Sequence, residues 1–166
     1  MAISVDFESN LRTVVSPGGV FLSDADATVT INGLDENGTT YTASTAVPVT
    51  KVAAYELTLS SGTGSVNLAA LPGLTSEETV VGTGLKLQFV KFKNKSTNAN
   101  IITITKGASN GYGLDASGTA FTVVLSPGQS VTFSLNEAAP DIASGARLLD
   151  ITGTGSQVLQ IHAVMG

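Results

Sequence analysis

Residues 85–95 read LKLQFVKFKNK, and the alternation inside this stretch decides what kind of strand the chain builds. Leu85, Leu87 and Phe89 place apolar side chains at odd positions, whereas Val90 and Phe92 place them at even ones. Successive side chains of a strand point to opposite faces, so the change of phase between Phe89 and Val90 requires either a bulge at that step or a strand buried on both sides. The same stretch holds Lys86, Lys91, Lys93 and Lys95, four of the eight basic residues. They form either the solvated side of a strand or a binding face for something acidic, and the solvated reading is preferred.

Outward from this stretch the pattern of short extended segments continues. Downstream lie NIITITK (100–106), AFTVVLS (120–126), SVTFSL (130–135), RLLDITG (147–153) and QVLQIHAVM (157–165); upstream lie AYELTLS (54–60) and SVNLAAL (65–71). The joins SGTG, STNA, SPGQ and GTGS are rich in residues that tolerate turn dihedrals. Strands recurring about every 8 to 12 residues have the rhythm of an antiparallel β-sandwich or jelly roll, which is the fold expected for residues 51–166. A parallel α/β scheme is excluded because crossover helices are missing. Two pieces allow a single helical turn, NLAALPGL (67–74) and NEAAPDIASG (136–145), and each is interrupted by a proline, Pro72 or Pro140.

Residues 1–50 differ, with fewer apolar residues per segment. TVTIN (28–32) and TTYTAS (39–44) flank the turn-forming GLDENG and predict a hairpin. A Thr-rich join containing Pro48 marks a boundary, so residues 1–50 are read as an N-terminal arm or small β extension that packs on the main domain or on a neighbouring subunit.

Composition narrows the chemistry. The chain has no Cys and no Trp, and its one His is His162, so disulfide frameworks, thiolate zinc sites, Cys nucleophiles and multi-His metal sites are excluded. Charged residues make up 13%, about half the globular average, while Gly, Thr and Val abound, as strands joined by tight turns require. The net charge of −5 argues against direct nucleic-acid binding, which draws affinity from concentrated positive charge. No apolar run is long enough to span a bilayer, and the start MAISVDFESNLR lacks the charged and apolar regions of a signal peptide. A cytoplasmic site of synthesis is expected.

Candidate sites stay few. Asp24 and Asp26, with Asp35, Glu36 and Asn37, are oxygen donors of the kind Ca2+ takes, but their spacing completes no calcium loop and turn-forming acids explain them. His162 shares a strand face with Val158, Gln160 and Val164, a structural setting more than a catalytic one. The Gly-rich SGTGS and GTGS pieces lack the Lys-Ser or Lys-Thr pair and helix of a phosphate loop and read as turns. No catalytic residue, metal ligand or cofactor is assigned. Of nine aromatic residues most sit at core-like strand positions; Tyr112, in SNGYG, has a loop context and is taken as an exposed anchor, a possible interface residue together with Lys86, Lys91, Lys93 and Lys95.

Four pieces carry a resemblance: KVAAYELTLSSGTGSVNLAALPG (51–73), GTGLKLQFVKFKNKSTNANIITITKGASNGYG (82–113), FTVVLSPGQSVTFSL (121–135) and LLDITGTGSQVLQIHAVMG (148–166). Their order resembles that of structural proteins of tailed phages and prophages. The resemblance implies a β-sandwich or jelly-roll virion component, made in the host cytoplasm and resident in the virion. It implies a capsid decoration or minor capsid protein whose partner is the major capsid protein or another virion protein, and a homo-oligomer, with a trimer favoured. The alternative is a head-fibre, tail or adhesin-type module that recognises a glycan or host surface through loops around Asp35–Gly38 and Ser109–Tyr112. These motifs are turns and strand pairs, so they specify architecture better than activity.

Overall fold

A computed structural model describes residues 4–7, 11–14, 39–41, 43–46, 48–73, 78–135 and 139–166. Its strands are, in chain order, β1 (Ser4–Phe7), β2 (Leu11–Val14), β3 (Thr39–Tyr41), β4 (Lys51–Thr58), β5 (Thr63–Asn67), β6 (Leu71–Pro72) and β7 (Thr79–Val80). They continue with β8 (Leu87–Asn94), β9 (Ile102–Lys106), β10 (Thr122–Leu125), β11 (Ser130–Ser134), β12 (Leu148–Thr152) and β13 (Val158–Met165). The described chain is all-β, every strand pair is antiparallel, and no helix occurs among the described residues.

Two four-stranded sheets form the body, ordered β11-β8-β13-β4 and β10-β9-β12-β5. Their pairings nest. β4 pairs with β13, β5 with β12, β8 with β11 and β9 with β10, so each pair encloses the next along the chain, and successive pairs fall in alternate sheets. Contacts of β8 with β13 and of β9 with β12 then complete each sheet. A single hydrophobic cluster takes Val90, Phe92, Ile161 and Ala163 from the first sheet and Ile102, Ile104, Leu149 and Ile151 from the second, so both sheets bury one face in a shared core. Two smaller sheets complete the described strands: β2-β1-β3, and the pair β6-β7, which adds Leu71 and Val80 to the core.

The phase change in LKLQFVKFKNK has a structural cause. Along β13, Val164 faces Phe89 and the next residue, Met165, faces Leu87, so Gln88 is an extra residue with no opposite number. This bulge lies one residue ahead of the step in the sequence pattern. It puts Leu87, Val90, Phe92 and Asn94 on the core side while turning Phe89 outward, and Phe89 is nonetheless buried. A bulge and burial on both faces therefore occur together.

The Gly-rich joins are turns, as expected. Ser61 and Gly62, both with positive φ, reverse the chain between β4 and β5, and Gly62 exchanges backbone hydrogen bonds with Gly153 and Gly155 of the GTGS turn. A Cβ on Gly62 would lie 2.6 Å from the Gly153 carbonyl oxygen, so the contact needs glycine for space as well as for φ. The helical turns expected at 67–74 and 136–145 are corrected by the described part of each. Asn67 ends β5, Leu71–Pro72 forms β6, and Ala143 and Ala146 close a tight bridge. Pro72 removes a helical donor but sits readily in a two-residue edge strand. In the N-terminal region Thr39–Tyr41 pairs with β1, and the expected partner segment 28–32 lies outside the described residues.

The far end of β8 is held by a polar latch in the NKSTNAN step. Asn94 is fully buried; its Nδ2 donates to the Asn100 and Leu125 carbonyl oxygens at 3.0 and 2.9 Å, and its Oδ1 accepts from Asn98 Nδ2. Asn98 in turn exchanges two hydrogen bonds with the backbone of Val158, and Gln157 donates to the Asn100 carbonyl from the other side. One amide thus ties the ends of β8 and β10 and the β8–β9 turn. Replacing Asn94 with Ala takes this donor from the buried Leu125 carbonyl, while Gln157 still serves that of Asn100, and is expected to cost about 1 to 3 kcal/mol in chemical denaturation; a loss near zero would show that water replaces the amide there.

Candidate interaction surface

The register assigns the outer face of the sheet β11-β8-β13-β4 row by row, because directly paired residues share a face. The first row is Val52, Val164, Phe89 and Ser134. The second is Ala54, His162, Lys91 and Thr132, and the third is Glu56, Gln160, Lys93 and Ser130. Polarity rises along the strands, from an apolar row at the end where residues 48–50 enter β4 to a charged row at the opposite end.

The four lysines divide along this gradient. Lys91 and Lys93 project from the outer face, half-buried and exposed respectively, and have no ion pair among the described residues. Lys95 follows the strand and binds Glu56 at 2.9 Å, and Gln160 Nε2 donates to the same carboxylate, so these hydrogen bonds hold Glu56 below the usual carboxylate range. Lys86 precedes the strand; its ammonium lies 3.1 Å from Asp141 and donates to the Ala139 carbonyl, pinning residues 139–141 beside the start of β8. Two of the four lysines are thus engaged within the chain. Exposed pairs of this kind contribute about 0 to 1 kcal/mol and mainly fix local register.

Tyr112 is corrected from an exposed anchor to a core residue: its side chain has no exposure. Its hydroxyl accepts from the Leu87 backbone N–H at 3.1 Å, beside the bulge, and donates to the Pro140 carbonyl at 2.7 Å. Desolvation, with Asp141 nearby, pushes its phenol up to about 12. The loop context in SNGYG gave no hint of this, because the groups that receive Tyr112 lie 25 and 28 residues further off in the chain. Tyr112→Phe keeps the ring and removes both hydrogen bonds, and is expected to lower stability by about 1 to 3 kcal/mol in a denaturant titration.

His162 lies in the second row between Ala54 and Lys91 and is 9% exposed. Its Nδ1 is buried without a hydrogen-bond partner among the described residues, and desolvation, reinforced by the Lys91 ammonium, lowers its pKa to about 4. The folded state thus prefers the neutral ring. This contribution is complete above the ordinary value of 6.5 and is lost as pH falls toward 4. Between about pH 7 and about pH 5 the folded state is expected to lose about 2 kcal/mol, a slope that His162→Gln should flatten; an unchanged slope would move the origin to the carboxylates.

The acids Asp24, Asp26, Asp35 and Glu36, with Asn37, lie outside the described residues, and no group of three or more metal-ligating side chains gathers among those described. The Ser109–Tyr112 loop is tied to the body, with the Asn110 carbonyl accepting from Arg147 and Leu148 N–H groups. What the geometry offers is therefore a graded face, apolar at one end and cationic at the other. The chain matches no family model, no curated protein and no solved structure.

Proposed function

We propose that the protein is a non-enzymatic structural component of a tailed-phage particle, a capsid decoration or minor capsid protein that attaches to the shell as a symmetric oligomer, with a trimer favoured. In this reading residues 51–166 are a jelly-roll sandwich. The observation that carries it is the nested pairing of β4 with β13, β5 with β12, β8 with β11 and β9 with β10, split between two four-stranded sheets. Eight strands rolled in that order make the two interlocked Greek keys of a jelly roll, an architecture used by viral capsid and lectin domains. The resemblance of the sequence pieces from Lys51 onward to phage structural proteins supports the capsid use over the lectin one.

A shell protein works through many identical weak contacts, which add to firm attachment without any deep pocket. The body offers suitable surfaces. β10 and β5 end one sheet and β11 an edge of the other, with no further strand pairing to them among the described residues. Val124 on β10 is 54% exposed and Ile101, just ahead of β9, 51%, placing apolar surface near one of these edges.

Size-exclusion chromatography with light scattering is expected to give a stable oligomer, and that oligomer to co-sediment with capsids. Quantitative peptide mapping of purified virions should then find many copies per particle. A few copies per particle, or confinement to the tail tip, would overturn the decoration role and put a head-fibre, tail or adhesin role in its place; a monomer that ignores capsids would overturn the decoration role, and one that also retains glycan on an array would support the adhesin.

A further inference from the structure

We infer that the outer face of the sheet β11-β8-β13-β4 is the seat of the chain's own N-terminal segment, the acidic residues before Pro48, which docks on it within the same molecule. Three independent observations lead there.

The first is burial. Phe89, Val164 and Val52 form the outer row of three adjacent strands, yet Phe89 is 1% and Val164 0% exposed in the single chain. The core is on the opposite side of the sheet. The strands of the second sheet and of the pair β6-β7 give their buried side chains to that core: Val66 from β5, Leu71 from β6, Val80 from β7, Ile104 from β9, Leu125 from β10 and Ile151 from β12. The loop residues Tyr112 and Ile142 do the same. The apolar outer row therefore needs a cover from elsewhere in the chain.

The second is where the chain enters. Val49 is buried although it is no part of the core cluster, and Thr50 N–H donates to the Met165 carbonyl at 2.9 Å. Residues 48–50 thus reach the body at the end of the sheet where the apolar row lies, so the preceding segment arrives beside its seat and closes no long loop.

The third is charge. Residues 1–47 hold six of the thirteen acids, Asp6, Glu8, Asp24, Asp26, Asp35 and Glu36, against the single base Arg12. Residues 48–166 carry seven acids and seven bases, so the net −5 resides entirely before Pro48. Lys91 and Lys93, the lysines of the strip without an ion pair among the described residues, stand on this same face beyond the apolar row. An acidic segment on an apolar floor with a cationic rim satisfies both the burial and the charge.

The test uses the full chain. The sequence has no Cys, so a nitroxide placed through Lys93→Cys or, independently, Ser130→Cys is the sole thiol tag, with Thr103→Cys on the other sheet as the reference position. Both outer-face tags are expected to broaden amide signals of residues 1–47 in the tagged molecule, and the reference tag to leave them sharp. Broadening that occurs only when tagged chains are mixed with untagged, isotope-labelled ones would mean that a second copy supplies the segment, which overturns docking within one molecule. Equal broadening from both faces, or none from either, would overturn the seat itself.

Discussion

Strand β8 must hydrogen-bond to β11 on one side and β13 on the other while filling the shared core with Val90, Phe92 and buried Asn94, and Gln88 is the residue that lets it do so. Without the extra residue, Leu87 and Val90 could not face the same side of the sheet, since strand side chains alternate strictly. The bulge reconciles them and leaves an irregular stretch of backbone that is satisfied from outside the ladder. Tyr112 supplies its hydroxyl to Leu87 N–H, and the Gln88 amide reaches the Gly166 carbonyl at 3.2 Å. The 107–121 loop and the C-terminus are thereby tied to one irregular step in a central strand.

The placement of polar residues follows the same logic at the other end. Asn94 continues the core side of β8 at a point where the strands stop pairing and carbonyls turn inward, so an amide with two donors serves better than a hydrophobe. Gln157 closes the ladder of β13 in a similar way, accepting from Thr154 N–H and donating to the Asn100 carbonyl. Buried amides at strand ends leave little unsatisfied, and they specify register more sharply than apolar side chains of similar size.

Much of this was legible in the sequence. Period-two alternation located β8 to β13, the Gly-rich joins located the turns, and the slip in LKLQFVKFKNK announced the bulge, because each of these is a local property of a few neighbouring residues. What escaped was non-local. Tyr112 looked like a surface anchor because its acceptor, Pro140, comes much later in the chain, and Lys86 and Lys95 were read together with Lys91 and Lys93 as one strip because Asp141 and Glu56 are brought to them only by folding. The graded outer face is of the same kind. Its rows join residues from β4, β8, β11 and β13, so no single stretch of sequence displays it.

The nesting of strand pairs also governs how the chain reaches this state. β4 leads the body and its hydrogen-bonded neighbour β13 is the last of the described strands, with 115 residues separating Thr50 from the Met165 carbonyl it binds. The innermost pair, β9 with β10, can form early, but the sheet β10-β9-β12-β5 waits for β12 and the sheet β11-β8-β13-β4 for β13. A high mean separation between contacting residues slows folding, and through that interval the half-built sheets present open edges to other nascent chains. A protein built this way completes its first sheet only when β13 is available to β4 and β8, and its yield in the cell depends on how well those edges are shielded in the meantime.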